Sequence, residues 1–192
     1  ASSRFQGTSD RGEYGDAIEE LDWSVGEILQ TLRQLGLDQN TWVVFTSDNG
    51  PWLPYKQAGG SAGPLRDGKN SHCEGGFRVP CIMWGGMVKP GHITQMGSTL
   101  DLLPTCCEMA GIDLPAGVEL DGVSMLNVLQ DSRATPKREN FFFYRGSQLY
   151  AVRKGKYKLH YRNKSAYGND PVVVYDKPRL YDLGTDPSEN MI

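Results

Sequence analysis

The sequence lacks a long hydrophobic run and has no excess of basic residues. No apolar stretch approaches the roughly 18 residues that cross a bilayer, so no membrane span is predicted. Lys and Arg number 20 against 23 Asp and Glu, and the net charge of −3 leaves no broad positive surface for nucleic acid. DNA and RNA are therefore excluded as partners. The 192 residues, 39% of them hydrophobic, still suffice for the core of a globular protein.

Cysteine and histidine are scarce and scattered. The four cysteines are Cys73, Cys81, Cys106 and Cys107. None has C-x-x-C spacing, and the adjacent pair falls in a predicted helix, which favours free thiols packed in a core. A disulfide stays open as the alternative for an oxidising compartment. The three histidines are His72, His92 and His160, and their wide separation gives no zinc-binding pattern.

The first part of the chain has the pattern of an α/β domain. Apolar residues recur every three or four positions over residues 14–35, which predicts an amphipathic helix. Asp16, near its first turn, is expected to be a solvated charge that suits the helix dipole. The β-branched and aromatic run at 41–46 is typical of a strand buried on both faces of a parallel sheet. After a segment rich in Gly and Pro at 50–80, residues 81–84 predict a second strand.

The character of the sequence changes after about residue 133. Before that point, residues 100–110 predict a helix that stops at Gly111. After it, strands are predicted at residues 141–144, 149–153 and 157–161. The turn at Lys154-Gly155 joins the last two strands and predicts an antiparallel arrangement. We therefore expect an α/β part over residues 1–133 and an antiparallel β subdomain over residues 134–192.

Asp48 and Asn49 stand where the first predicted strand stops, within FTSDNG at residues 45–50. Ligands of parallel α/β sheets bind outside the carboxyl ends of the strands. Carboxylate and carboxamide oxygens are hard donors that suit Ca²⁺ or Mg²⁺, and Gly50-Pro51 allows the bend that both need to reach one ion. The alternative is an Asx-type turn that caps the strand. Two donors are too few for a hard cation, so further ligands must come from elsewhere.

The segment GPLRDGKN at residues 63–70 almost spells a phosphate-binding P-loop. Asn70 stands where a magnesium-binding hydroxyl is required, and Gly75-Gly76 interrupts the helix that should cradle the phosphates. A nucleotide site is therefore not predicted. What remains is Lys69 held between glycines, a cation that an anion can approach closely. A solvated surface lysine is the alternative.

Taken in order, these segments resemble the C-terminal half of type I sulfatases over nearly the whole chain. The quoted FTSDNG, GGSAGPLRDGK at 59–69 and EGGFRVP at 74–80 carry much of the resemblance. The other matching segments lie at residues 7–16, 100–105, 120–122, 180–183 and 186–187. The resemblance implies an alkaline-phosphatase-like α/β fold, in which residues 1–133 are the C-terminal part of the catalytic sheet with its flanking helices. A small antiparallel subdomain over residues 134–192 follows.

The resemblance also implies sulfate ester hydrolysis. In this family a formylglycine, made from Cys or Ser, attacks sulfur as its hydrate while Ca²⁺ and basic side chains hold the ester. Asp48 and Asn49 match two metal ligands, for Ca²⁺ or alternatively Mg²⁺, and Lys69 matches a catalytic lysine that contacts the sulfate. The implied substrates are sulfated small molecules or sugars, including aryl esters. The implied compartments are lysosomal, periplasmic or extracellular.

The nucleophile motif of the family, Cys or Ser followed by x-Pro-x-Arg, does not occur in this sequence. We therefore expect a fragment, inactive alone, of a sulfatase whose N-terminal half supplies the nucleophile and the other metal ligands. A phosphodiesterase or phosphonate hydrolase of the same superfamily stays open, as does a non-catalytic relic that binds a metal or an anion. Glu74, Gly75, Gly76 and Arg78 match a motif expected to hold the lysine loop, and His72 is not expected to contact substrate.

Overall fold

The computed structural model describes residues 1–191 and combines helices with two antiparallel sheets. Contacts divide the chain into two compact units, one formed by residues 1–85 with 164–171 and the other by residues 86–163 with the chain from Val172 onward. This mixed content, with its four-stranded antiparallel sheet, agrees with the predicted α/β class. Among residues 1–191, no helix is both long enough and apolar enough to cross a bilayer.

Each unit has its own helices and its own sheet. The first unit contains α1 (Gly12–Gln34), β1 (Val43–Thr46), a 3₁₀ segment (Leu53–Gly59), α2 (Glu74–Phe77) and β2 (Cys81–Trp84). The second unit contains α3 (Leu102–Ala110), α4 (Leu126–Gln130), β3 (Asn140–Arg145), β4 (Gln148–Lys154), β5 (Tyr157–Asn163) and β6 (Val173–Asp182). Short 3₁₀ turns lie at Asp38–Asn40 and Thr99–Asp101.

Helix α1 confirms the amphipathic helix predicted from residues 14–35. Gly36 follows its last turn with φ at 67°, and its N–H donates to the carbonyl oxygen of Arg33 (3.1 Å). This left-handed conformation, which glycine adopts without a Cβ penalty, ends the helix. Ile18 and Ile28 on the apolar stripe are exposed in the described part of the chain.

Asp16 differs from the expectation of a solvated charge. Its side chain is buried, and its two carboxylate oxygens accept the backbone N–H groups of Gly7 (2.8 Å) and Ser9 (2.9 Å). These donors hold the pKa of Asp16 below its ordinary value, because they stabilise the charged form. Asp16 thus fastens the segment before α1 onto the helix. Sequence spacing does not reveal this contact, since the partners are main-chain atoms.

Strand β1 pairs antiparallel with β2, and Val43 lies opposite Trp84 while Thr46 lies opposite Cys81. The Thr46 hydroxyl also donates to the carbonyl oxygen of Pro80 (3.0 Å). The sequence predicted a strand of a parallel sheet that is buried on both faces. Within residues 1–191 only β2 pairs with β1, so its side chains are half-exposed and its pairing differs from that prediction.

The second sheet has the strand order β3-β4-β5-β6, with every pair antiparallel. Its first three strands confirm the strands predicted from residues 141–161. Strand β6 is absent from the prediction because Pro178 interrupts its sequence, and proline cannot donate to a ladder. In the structure β6 is an edge strand, and its register against β5 shifts between His160 and Arg162, next to Pro178. An edge and a register shift are the places where a sheet tolerates proline.

A buried ion pair holds the loops around α3. The Arg138 guanidinium donates twice to the Asp101 carboxylate, through Nε to Oδ2 at 2.9 Å and through Nη2 to Oδ1. The Asp101 oxygens also accept the backbone N–H groups of Ser98 (2.8 Å) and Val123 (2.9 Å). One carboxylate therefore connects the start of α3, the loop before α4 and the approach to β3. Hydrogen bonds to Asp101 raise the pKa of Arg138 above its ordinary value.

A second buried cluster ties β5 to the chain beyond β6. The Lys158 ammonium lies 3.0 Å from Oε1 of Glu189 and 3.8 Å from the ring centroid of Phe143. His160 Nε2 lies 2.8 Å from the same Glu189 oxygen. The three ionisable side chains are buried together. Burial of charge is tolerated where such partners are present.

Candidate functional site

Asp48 and Asn49 lie in the bend that follows β1, as the sequence predicted. The Asp48 side chain is exposed and that of Asn49 is half-buried. The Ser47 hydroxyl donates to the carbonyl oxygen of Asn49 (3.0 Å), which fixes the bend. Within residues 1–191, neither Asp48 nor Asn49 has a side-chain hydrogen bond or an ion pair. Their oxygens therefore remain available as donors to a ligand.

The capping alternative for Asp48 and Asn49 is not observed. An Asx-type turn needs the backbone N–H two residues further along the chain. For Asn49 that residue is Pro51, which has no N–H. For Asp48 it is Gly50, whose N–H donates instead to the carbonyl oxygen of Gly76 (3.0 Å). The two side chains thus do not cap the strand.

The lysine loop is joined to the same bend through the backbone. The N–H of Lys69 donates to the carbonyl oxygen of Pro51 (2.9 Å), two residues beyond Asn49. The Lys69 side chain is half-buried, and among the described residues its ammonium has no carboxylate or carbonyl partner. The structure therefore brings all three predicted site residues, Asp48, Asn49 and Lys69, onto two hydrogen-bonded loops.

Glycines make this close approach sterically feasible. A Cβ added to Gly50 would lie 1.7 Å from the carbonyl oxygen of Gly75, and one added to Gly68 would lie 2.3 Å from that of Pro51. A Cβ on Gly76 would lie 2.6 Å from the carbonyl oxygen of Gly68. Cβ atoms do not approach backbone oxygens this closely, so any larger residue displaces one loop. Gly76, which belongs to the motif expected to hold the loop, thus acts together with Gly50 and Gly68 by close backbone packing.

We expect Gly50→Ala to separate the two loops. The Cβ overlaps a backbone oxygen that cannot rotate away, and overpacking of this kind costs about 1–3 kcal/mol. The free energy of unfolding, measured by urea titration, should fall by that amount. Gly26→Ala in α1 is the matched control, because nothing lies within 4 Å of its Cβ position. An equal effect of both substitutions would contradict the packing account.

The chain around Lys69 does not form a nucleotide loop. Asp67 and Asn70 have φ at 60° and 72°. For a non-glycine residue, each such left-handed conformation costs about 1–3 kcal/mol of conformational free energy. The helix that follows, α2, begins five residues after Lys69 and has four residues. A P-loop requires a helix whose N-terminus binds the phosphates, and α2 is too short for that role. The local geometry therefore differs from that of a P-loop.

The buried residues after the loop have a supporting position. His72, Cys73 and Glu74 are all buried, and the N–H of Cys73 donates to the Ser71 hydroxyl oxygen (3.0 Å). The N–H of Gly75 donates to the carbonyl oxygen of Arg66 (2.8 Å). This hydrogen bond connects the segment to the lysine loop. Glu74 belongs to the motif expected from the sequence to hold the loop, whereas no sequence signal indicated that His72 is buried.

A hard cation fits the donor chemistry of the bend but not its number of donors. Asp48 and Asn49 offer one carboxylate and one carboxamide, which are oxygen ligands suited to Ca²⁺ or Mg²⁺. Over residues 1–191, no group of three or more His, Cys, Asp or Glu side chains is placed to hold a metal ion. Six to eight oxygens are usual for Ca²⁺. The described residues therefore supply a minority of the ligands that such an ion requires.

Curated proteins with sequences similar to this chain include sulfatases. N-acetylgalactosamine-6-sulfatase of Sus scrofa is 44% identical, and the match covers 98% of this chain and 40% of that protein. Arylsulfatase A of Bos taurus is 38% identical, and the match covers 97% of this chain and 40% of that protein. This chain thus spans about 40% of the length of these relatives.

Solved structures and family models agree. The PsFucS1 sulfatase from Pseudoalteromonas sp. superposes with a TM-score of 0.88 at 27% identity, over 98% of this chain and 40% of that chain. The sulfatase family model matches residues 1–112, and the model of the C-terminal region of aryl-sulfatase matches residues 136–192. The first match alone includes the bend after β1 and the whole lysine loop. The chain belongs to the sulfatase family.

Proposed function

We propose that this chain is part of a sulfuric ester hydrolase and contributes Lys69, Asp48 and Asn49 to its active site. The observation that carries the proposal is the arrangement of the two loops. Their backbones are locked together by hydrogen bonds and glycine packing, whereas the ammonium, carboxylate and carboxamide have no partner among residues 1–191. A rigid backbone that presents unpaired polar groups is what ligand binding requires. Family membership supports the same assignment.

Each residue has a distinct role in the proposed site. Asp48 and Asn49 would hold Ca²⁺, or alternatively Mg²⁺, and such an ion would supply polarisation of the sulfate ester. The Lys69 ammonium binds the anionic oxygens of the ester and stabilises the negative charge that develops as the S–O bond breaks. The glycines on either side of Lys69 leave room for the ester to approach the ammonium closely. The formylglycine nucleophile and the remaining metal ligands come from a part of the protein outside this chain.

The substrate class and the environment are also proposals. The names of the two relatives describe an aryl sulfatase and a sulfatase of N-acetylgalactosamine 6-sulfate, so aryl and carbohydrate sulfate esters are the proposed substrates. A lysosomal, periplasmic or extracellular location follows from the resemblance. The division into a catalytic part over residues 1–133 and a β subdomain over residues 134–192 stays a prediction.

Hydrolysis assays with the complete protein test the function. We expect turnover of p-nitrophenyl sulfate and of N-acetylgalactosamine 6-sulfate, because the site presents a lysine and hard-cation ligands to a monoanionic ester. A phosphodiester and a phosphonate monoester serve as comparison substrates. Faster turnover of either comparison substrate would replace the sulfatase assignment with a phosphatase-like one. Absence of all four activities would leave a non-catalytic anion-binding protein.

Removal of one metal ligand should lower cation affinity. Asp48→Ala deletes the charged donor of the bend, and Ca²⁺ affinity depends on the number of charged ligands. We expect the Ca²⁺ dissociation constant of the complete protein, measured by calorimetry, to rise roughly tenfold or more. Asp22→Ala is the control, since Asp22 is an exposed acid on α1 in the same unit. Unchanged Ca²⁺ affinity in Asp48→Ala would remove Asp48 from the ligand set.

A further inference from the structure

An exposed aromatic pair, Trp52 and Tyr55, follows the bend that carries the candidate site. The two side chains are 46% and 58% exposed. Their ring centroids are 4.5 Å apart, and the ring planes are tilted by 32°. Together they form one contiguous apolar surface rather than two isolated side chains. A surface of this kind, edged by polar groups, is typical of a ligand-binding site.

The aromatic pair is attached to the lysine loop. The carbonyl oxygen of Pro51 accepts the N–H of Lys69 (2.9 Å) and the hydroxyl of Tyr167 (3.4 Å). Trp52 is the next residue after Pro51. The path through the Lys69 hydrogen bond therefore limits the separation of the Lys69 and Trp52 Cα atoms to roughly 8 Å at most. Lys69 and Trp52 therefore project from neighbouring backbone positions.

The segment that carries the aromatic pair is held in one conformation. The N–H of Trp52 donates to the carbonyl oxygen of Gly59 (2.9 Å), and its own carbonyl oxygen accepts the N–H of Tyr55 (3.0 Å). A Cβ on Gly59 would lie 2.0 Å from the Trp52 carbonyl oxygen. Lys56 has φ at 51° and ψ at −124°, a conformation that a non-glycine residue takes where its surroundings impose it. The two rings are thus exposed on a backbone segment that is held by hydrogen bonds and close packing.

We propose that the aromatic pair is the platform for the pyranose ring of a sulfated sugar whose ester group is held at Lys69. The C–H groups on one face of a pyranose carry slight positive charge and pack against the negative face of an aromatic ring. A sugar sulfate presents that apolar face and an anion within one small unit. The first unit of this chain carries the complementary groups on hydrogen-bonded backbone segments, an aromatic surface and an ammonium that has no partner among residues 1–191. The inference rests on the proposed function and narrows its substrate to a carbohydrate.

Three ligands separate the platform from the sulfate site. They are N-acetylgalactosamine 6-sulfate, N-acetylgalactosamine and inorganic sulfate, titrated into the complete protein by calorimetry. We expect Trp52→Ala to weaken the two sugars about tenfold and inorganic sulfate less than about twofold, because the indole contacts the ring and not the anion. Trp52→Phe should retain most of the sugar affinity. Tyr55→Ala gives a second test if Trp52→Ala does not fold.

The control variant is Trp23→Ala, since Trp23 is 38% exposed on α1 in the same unit. Equal sugar affinity of Trp52→Ala and Trp23→Ala would overturn the proposal. So would an equal loss of affinity for p-nitrophenyl sulfate, because the pair would then stack any planar ring. If Trp52→Ala weakens both sugars but sulfate adds no affinity and Lys69→Ala changes nothing, the platform stands and the proposed sulfatase function fails.

Discussion

Replacing Lys69 with Ala should lower the turnover of a sulfate ester by about 10²–10³-fold, the usual effect of removing one donor that stabilises developing charge. Folding should change little, because the residue holds its loop through the backbone N–H and not through the side chain. The measurement is kcat of the complete protein on an aryl sulfate and on a sugar sulfate. Circular dichroism of the same samples verifies that the fold is retained.

Two further variants make the Lys69 experiment specific. Lys69→Arg should recover little activity, because a planar guanidinium does not replace a compact ammonium between glycines. Lys164→Ala removes a half-exposed lysine of the same unit and should leave kcat unchanged. If Lys69→Ala retains turnover near that of the parent, the ammonium does not contact the reacting sulfate. If Lys164→Ala is equally impaired, the effect reflects overall charge and not a specific contact.

Sequence patterns predicted the elements whose cause is local. The period of α1 is set by its own apolar residues, and the end of α3 is set by Gly111, whose φ of 66° places it in the left-handed region. The strand β2 has the bounds that were predicted from residues 81–84. In each case the information lies within a few residues of the element. No distant partner is needed to recognise it.

Features that depend on a distant partner were missed. Strand β6 contains Pro178, which local propensity excludes from a strand, and only its edge position beside β5 makes the proline acceptable. Asp16 was expected in water because its partners are two main-chain N–H groups that composition does not show. Strand β1 was expected between parallel neighbours, yet the described residues supply one antiparallel partner. The errors at β6 and Asp16 share one cause, which is that a tertiary contact overrides a local preference.

The site shows the same division. The residue types at 48, 49 and 69 indicated a cation and an anion, but the sequence left a strand cap and a surface lysine as alternatives. The hydrogen bond from Gly50 to Gly76 and the missing N–H of Pro51 remove the cap. The role of the glycines as spacers between two loops became visible only with the distances between them. Asp48, Asn49 and Lys69 stay proposed site residues until the variants are measured.

Breaking the buried pair of Asp101 and Arg138 should cost more stability than any other single change considered for this chain. The Asp101 side chain is 1% exposed and that of Arg138 is 9% exposed, so removing Arg138 leaves the Asp101 carboxylate buried without its charged partner. Such losses amount to about 3–5 kcal/mol. Asp101→Asn also weakens the acceptors for the N–H groups of Ser98 and Val123, and should therefore lie near the upper end of that range.

The neighbouring residue provides the matched control for this pair. Lys137 lies 3.0 Å from Glu108, and both side chains are exposed, so Lys137→Ala should cost less than about 1 kcal/mol. Urea titrations of the parent, Asp101→Asn, Arg138→Met and the double variant give the four free energies of unfolding. The double variant should lose less stability than the sum of the single variants, because it leaves no unpaired charge. Additive losses, or a cost for Arg138→Met no larger than that for Lys137→Ala, would show that the buried pair does not stabilise the loops around α3.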